Sequence, residues 1–113
     1  MRFEGEGKLL RLFIGESDTW AGKPLYRAIV ERVREEGLAG ATVLRGIEGF
    51  GASSVLHTTR LLELSSDLPI VIEIVDREDR IERILPVIDE MVGDGLLTVE
   101  RVHVIDYRGS PKD

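Results

Sequence analysis

The order in which two kinds of hydrophobic periodicity alternate along the chain limits its fold more than any single motif does. Apolar residues recur at helical spacing twice, at Leu25, Ile29, Val30 and Val33 and again at Ile81, Ile84, Leu85, Ile88 and Met91, each set marking the buried stripe of a helix packed on one side. Around them lie four strand-like stretches, 8–14, 41–45, 70–75 and 96–105, of which 70–75 is the richest in β-branched residues. The order β-α-β-β-α-β is the split βαβ, ferredoxin-like arrangement: an α+β fold with a four-stranded antiparallel sheet and both helices on one face. Right-handed crossovers leave few other topologies.

Local signals agree with this order. Pro24 is tolerated in a first helical turn, and Gly37 is placed for a left-handed C-terminal cap. Asp76 is expected to N-cap the second helix, with Glu78 and Asp79 complementing its dipole. Pro86 should kink that helix, and Gly93-Asp94-Gly95 ends it. Residues 1–7 read as a polar start prone to fraying, 16–22 as a turn-rich connection and 107–113 as a loose tail. The 113 residues make a single domain, large enough to bury a core without disulfide or metal.

With both helices on one side, the other sheet face should turn polar if it meets water, and it does so only in part. Leu10, Leu12 and Ile14 share one parity with nothing polar among them, whereas the other parity carries Leu9, Arg11 and Phe13. In the third strand Val71, Glu73 and Val75 likewise oppose Ile70, Ile72 and Ile74. A face of such intermediate polarity predicts an interface between copies of the chain.

Between the second and third strands, residues 46–68 form an irregular excursion far longer than the usual connection of about 4–6 residues. It opens with Arg45-Gly46-Ile47-Glu48-Gly49-Phe50-Gly51, whose glycines permit positive φ and close approach of backbone N–H groups to a ligand. A glycine-rich hairpin tip accounts for them equally well.

Composition removes several function classes. Cysteine is absent, excluding disulfides, thiolate catalysis and thiolate metal sites; asparagine and glutamine are absent too. A net charge of −6 argues against nucleic-acid binding. No apolar run approaches the roughly 18 residues of a membrane span, and the start has no signal-peptide pattern, so a cytoplasmic location is expected, without membrane insertion.

The run Gly37-Leu38-Ala39-Gly40-Ala41-Thr42-Val43, with the later Gly49-Phe50-Gly51, Leu68-Pro69, Ile72-Glu73-Ile74-Val75 and Gly93-Asp94-Gly95, resembles the PII signalling proteins over roughly 36–108. More narrowly, Gly22-Lys23-Pro24-Leu25, the 45–51 run and Asp67-Leu68-Pro69-Ile70-Val71 are similar to the PII-like domain of unknown function 190. The resemblance implies a homotrimer that binds an adenine nucleotide between subunits and regulates a partner, such as a membrane transporter, through a long loop. It places Gly49, Phe50 and Gly51 at the base of that loop and Gly93, Asp94 and Gly95 in the opposing one.

The sequence departs from PII where cations would be needed. Ala52 follows Gly51 where PII has arginine, Leu96 follows Gly95 where PII has lysine, and the last strand reads Val102-His103-Val104-Ile105-Asp106 in place of paired arginines. A triphosphate requires cationic donors or a metal, so a PII-type ATP site is not expected and a less charged adenine nucleotide fits better. No tyrosine stands between Tyr26 and Tyr107, so uridylylation of the loop is not expected.

Further candidate ligand or loop contacts are Lys23, Arg45, Gly46, His57 and Arg60. Arg45 either holds a ligand or pairs with Glu48 at the surface, an arrangement worth ~0–1 kcal/mol. His57 is either a proton-sensitive or metal-binding group or an exposed loop residue, and no metal site is assigned. Walker-A, metalloprotease and serine-hydrolase patterns are absent, so catalysis is not expected. The alternative to a ligand-responsive regulator is a trimeric module like the CutA branch of the PII-like fold, metal-associated or serving assembly alone.

Overall fold

In the computed structural model, which describes residues 2–51 and 67–109, the elements follow the expected order with additions. They are β1 (Arg2–Gly15), β2 (Thr19–Trp20), β3 (Lys23–Pro24), α1 (Leu25–Glu35), β4 (Thr42–Arg45), β5 (Pro69–Arg77), α2 (Glu78–Met91) and β6 (Leu96–Arg108). β1, β4, β5 and β6 form one antiparallel sheet in the order β4-β5-β1-β6. This is the ferredoxin-like α+β fold the periodicities predict.

The core lies on one face. Leu10, Leu12 and Ile14 of β1 and Ile70, Ile72 and Ile74 of β5 are buried against Leu25, Ala28, Ile29 and Val33 of α1 and Ile81, Ile84, Ile88 and Met91 of α2. α1 ends as its glycine directs: Gly37 has φ +82°, its N–H donates to Arg34 O at 3.0 Å, and Leu38 N–H donates to Val33 O at 3.3 Å. That is the paired bonding of a Schellman cap, and it returns Leu38 to the core.

Three local expectations need correction. The polar start does not begin outside the fold, because β1 begins at Arg2 and pairs with β6 as far as Arg108, so Tyr107 and Arg108 belong to a strand. Beyond Gly7 these strands continue without β5, and Ile105 and Asp106 together stand opposite Glu4, a bulge that bends the ribbon. Within the turn-rich connection, β2 and β3 form a two-residue-loop hairpin, with Ala21 at φ +50° and Gly22 at φ +82°. Asp76 does not cap α2: it lies within β5, one residue before its end, and Arg77 holds the N-cap position without a side-chain hydrogen bond.

On the open face the register aligns two rows across all four strands. Thr42, Glu73, Arg11 and Thr98 make a polar row, and Leu44, Val71, Phe13 and Leu96 an apolar one. Arg11 Nε lies 2.9 Å from Glu73 and Nη1 2.6 Å from Glu100. Glu73's hydrogen bond, with the charge of Glu100, raises the already high pKa of this guanidinium. Leu44 and Leu96, 47% and 55% exposed, have no covering layer among the described residues.

Candidate functional site at the loop base

The two limbs of the long loop leave the sheet side by side, where β4 ends and β5 begins. Gly46 N–H donates to Pro69 O at 2.7 Å. A Cβ on Gly49, whose φ is +151°, would stand 3.0 Å from Pro69 Cγ, so a side chain there is strained by the backbone conformation and crowds the returning limb. The turn after β1 fastens both limbs. Glu16 N–H donates to Leu68 O at 2.8 Å, Ser17 N–H donates to Asp67 Oδ1 at 3.2 Å, and the Glu16 carboxylate pairs with Arg45. Asp18 holds the turn itself, accepting from Gly15 N–H at 2.9 Å through its carboxylate and from Leu25 N–H at 2.8 Å through its carbonyl.

Arg45 therefore pairs with Glu16, not Glu48, and Gly46 has already committed its N–H. Among the described residues, the backbone N–H groups of Gly49 and Gly51 are unengaged. Phe50 is 67% exposed. Lys23 lies on the hairpin that follows the same turn, but its Nζ is 2.7 Å from Glu31, and that hydrogen bond holds the Glu31 carboxyl below the usual carboxylate range. His57 and Arg60 lie outside the described residues.

Gly93, Asp94 and Gly95 rim the same end of the sheet from its other edge. A Cβ on Gly95 would come within 2.8 Å of Phe13 O, whereas Gly93 faces open space. The strands these two glycine segments flank, β4 and β6, are the outermost of the sheet, three inter-strand spacings or about 14 Å apart.

A cavity of about 470 Å³ opens at the opposite end, about 20 Å along β5 from Pro69. It is walled by the 39–42 linker, Glu73 and Val75 of β5, and Val104 and Tyr107 of the bent β1–β6 ribbon. Tyr107 Oη donates to Ala39 O at 3.3 Å, and the buried Asp76 accepts from Ala39 N–H at 2.8 Å. Sequence reasoning missed this cavity. A hydroxyl-bearing aromatic in an apparent tail and an aspartate beside a strand end were the signals available.

Among the described residues no group of three or more histidine or acidic side chains is arranged to hold a metal ion. None of the described helices is long and apolar enough to cross a membrane. The rim instead offers one arginine, backbone N–H groups and an exposed aromatic ring, a set able to hold an anionic group and a planar ring.

The DUF190 family (Uncharacterized ACR) matches residues 7–104. A UPF0166 protein of Aquifex aeolicus is 45% identical over 100 residues, covering 87% of this chain and 92% of its own length. A UPF0166 protein of Methanocaldococcus jannaschii is 36% identical over 105 residues, covering 92% and 94%. Among solved structures, one from Thermus thermophilus described as a PII-like signaling protein superposes with a TM-score of 0.61 at 21% identity, over 88% of this chain and 90% of that one. At that identity the likeness concerns the fold.

Proposed function

The chain belongs to the DUF190 family, and from that premise we propose that it is a PII-like regulatory protein whose ligand site is completed between subunits. The ligand is a small adenine nucleotide carrying less charge than ATP. The long loop reports its presence to a partner protein, by analogy with PII a membrane transporter, in the cytoplasm and without catalysis.

The observation that carries this reading is the placement of the glycine rim and the cavity at opposite ends of one sheet. A single protomer cannot bring them together. A closed ring with head-to-tail contacts sets one surface of each copy against a different surface of the next, so the loop base of one subunit can meet the cavity of its neighbour. The apolar row Leu44–Val71–Phe13–Leu96 supports such a ring by giving the open face an area better buried than wetted. A trimer is the ring we favour, from the PII-like fold. Response to the ligand then depends on its different affinity for the two states of the loop.

Isothermal calorimetry against AMP, cyclic AMP, ADP and ATP, with and without magnesium, tests the site, and sedimentation equilibrium tests the trimer. The expected outcome is saturation near one ligand per subunit, with AMP or cyclic AMP bound more tightly than ATP. Absence of heat with all four at two temperatures overturns the nucleotide reading.

A further inference from the structure

We propose that Glu16 is a built-in competitor for the anion-binding face of Arg45, and that it sets how much negative charge the loop base accepts. This rests on the nucleotide reading above and assigns that site its charge selection.

Arg45 is the last residue of β4, and its side chain is 60% exposed; Glu16, its partner, is only 15% exposed. One carboxylate oxygen of Glu16 meets the guanidinium. The other, Oε1, is buried and has no hydrogen-bond partner among the described residues. A buried acceptor without a donor is unfavourable, so the pair holds Glu16 in an incompletely satisfied position. The turn's backbone does not depend on that side chain, because Glu16 N–H is fixed separately on Leu68 O. The carboxylate can therefore swing out while the turn stays in place.

A phosphate group has the same chemistry toward Arg45 as a carboxylate, with more acceptor oxygens and better bidentate geometry. It takes the guanidinium by displacing Glu16. The cation facing the ligand is thus already neutralised, and the turn and limbs beside it add Asp18, Asp67 and Glu48. Each further phosphate on a ligand adds charge with no further described cation to meet it, since Lys23 is engaged by Glu31. Glu16 consequently discriminates most strongly against the most highly charged nucleotide.

Displacement also has a mechanical consequence. The Arg45–Glu16 pair ties the outgoing limb of the loop to the same residue whose backbone holds the incoming limb. An anion that takes Arg45 cuts the first tie and leaves the second, along with the bond from Gly46 N–H to Pro69 O.

Glu16→Gln keeps the size of the side chain and one acceptor oxygen and removes its charge. Calorimetry with AMP and ATP is expected to show AMP affinity rising roughly 10-fold, as for loss of a neighbouring like charge, and ATP affinity rising more. Arg45→Ala should weaken binding of both, and Glu16→Gln should give no gain in the Arg45→Ala background. Glu16→Asp, which withdraws the carboxylate while keeping its charge, should give an intermediate gain and serves if the glutamine variant does not fold. Wild-type binding of AMP with an unchanged affinity in the Glu16 variants overturns the competitor role and leaves the site standing. Failure of the wild type and every variant to bind either nucleotide overturns both.

Discussion

Replacing Asp76 by alanine should cost this protein about 3 kcal/mol. Asp76 is 2% exposed at the end of β5. One carboxylate oxygen accepts from Ala39 N–H at 2.8 Å and the other from Arg77 N–H at 2.7 Å, with an Arg80 nitrogen 3.9 Å away. Hydrogen bonds to a charged acceptor contribute about 1.5–3 kcal/mol each, and a buried donor left without one costs about 1–3 kcal/mol. Arg77 is exposed, so water replaces much of what its N–H loses, whereas Ala39 sits between Asp76 and Tyr107 and bears most of the penalty. Together these give about 3 kcal/mol, and a midpoint lowered by roughly 12 °C at about 4 °C per kcal/mol. Asp76→Asn keeps an acceptor for one of the two donors and should lose about half as much. Urea unfolding of the three proteins at one fixed protomer concentration measures both differences, since association contributes to apparent stability. An alanine variant within about 0.5 kcal/mol of wild type, or an asparagine variant as unstable as the alanine one, would refute the assignment of Asp76 as the acceptor that pins the 39–42 linker.

Two further outcomes are expected. Ala21 holds φ +50° in the hairpin turn, a conformation costing an L-residue about 1–2 kcal/mol; Ala21→Gly should raise the thermal midpoint by a few degrees, as differential scanning calorimetry would record. Glu31 titrates below the usual carboxylate range because Lys23 hydrogen-bonds and attracts its charged form. Its folded pKa being lowered, the small stabilisation from this exposed pair is present above the ordinary carboxylate pKa and is lost as pH falls through the folded one. A carboxyl-detected NMR titration should find Glu31 back in the ordinary range in Lys23→Met.

How much of this could be read from the chain depends on how far apart the interacting residues stand. The stripes of α1 and α2 and the β-branched run of β5 were legible because burial on one side of a helix or strand writes its period into neighbouring residues. The Gly37 cap was legible for the same reason, since the bonds it arranges reach back only to Arg34 and Val33. The β1–β6 ribbon was not, because Arg2–Gly7 owes its strand to pairing with residues some hundred positions away and carries no apolar alternation of its own. Asp76 misled for a related reason: acid before a helix is the usual cap signal, yet its carboxylate turns to Ala39, 37 residues earlier.

The sequence by itself determined the element order, the face on which the core would form, the mixed character of the opposite face and the family to which the chain belongs. Only the tertiary structure decided that Gly46 spends its N–H on Pro69, that Gly95 answers to close packing against Phe13 O, that the two glycine segments flank opposite edges of the sheet, and that Arg45 is held by Glu16. Those facts depend on distances between residues remote in sequence, such as the 29 positions separating Arg45 from Glu16. Coulomb and hydrogen-bond energies are set by such distances, and a linear chain does not record them.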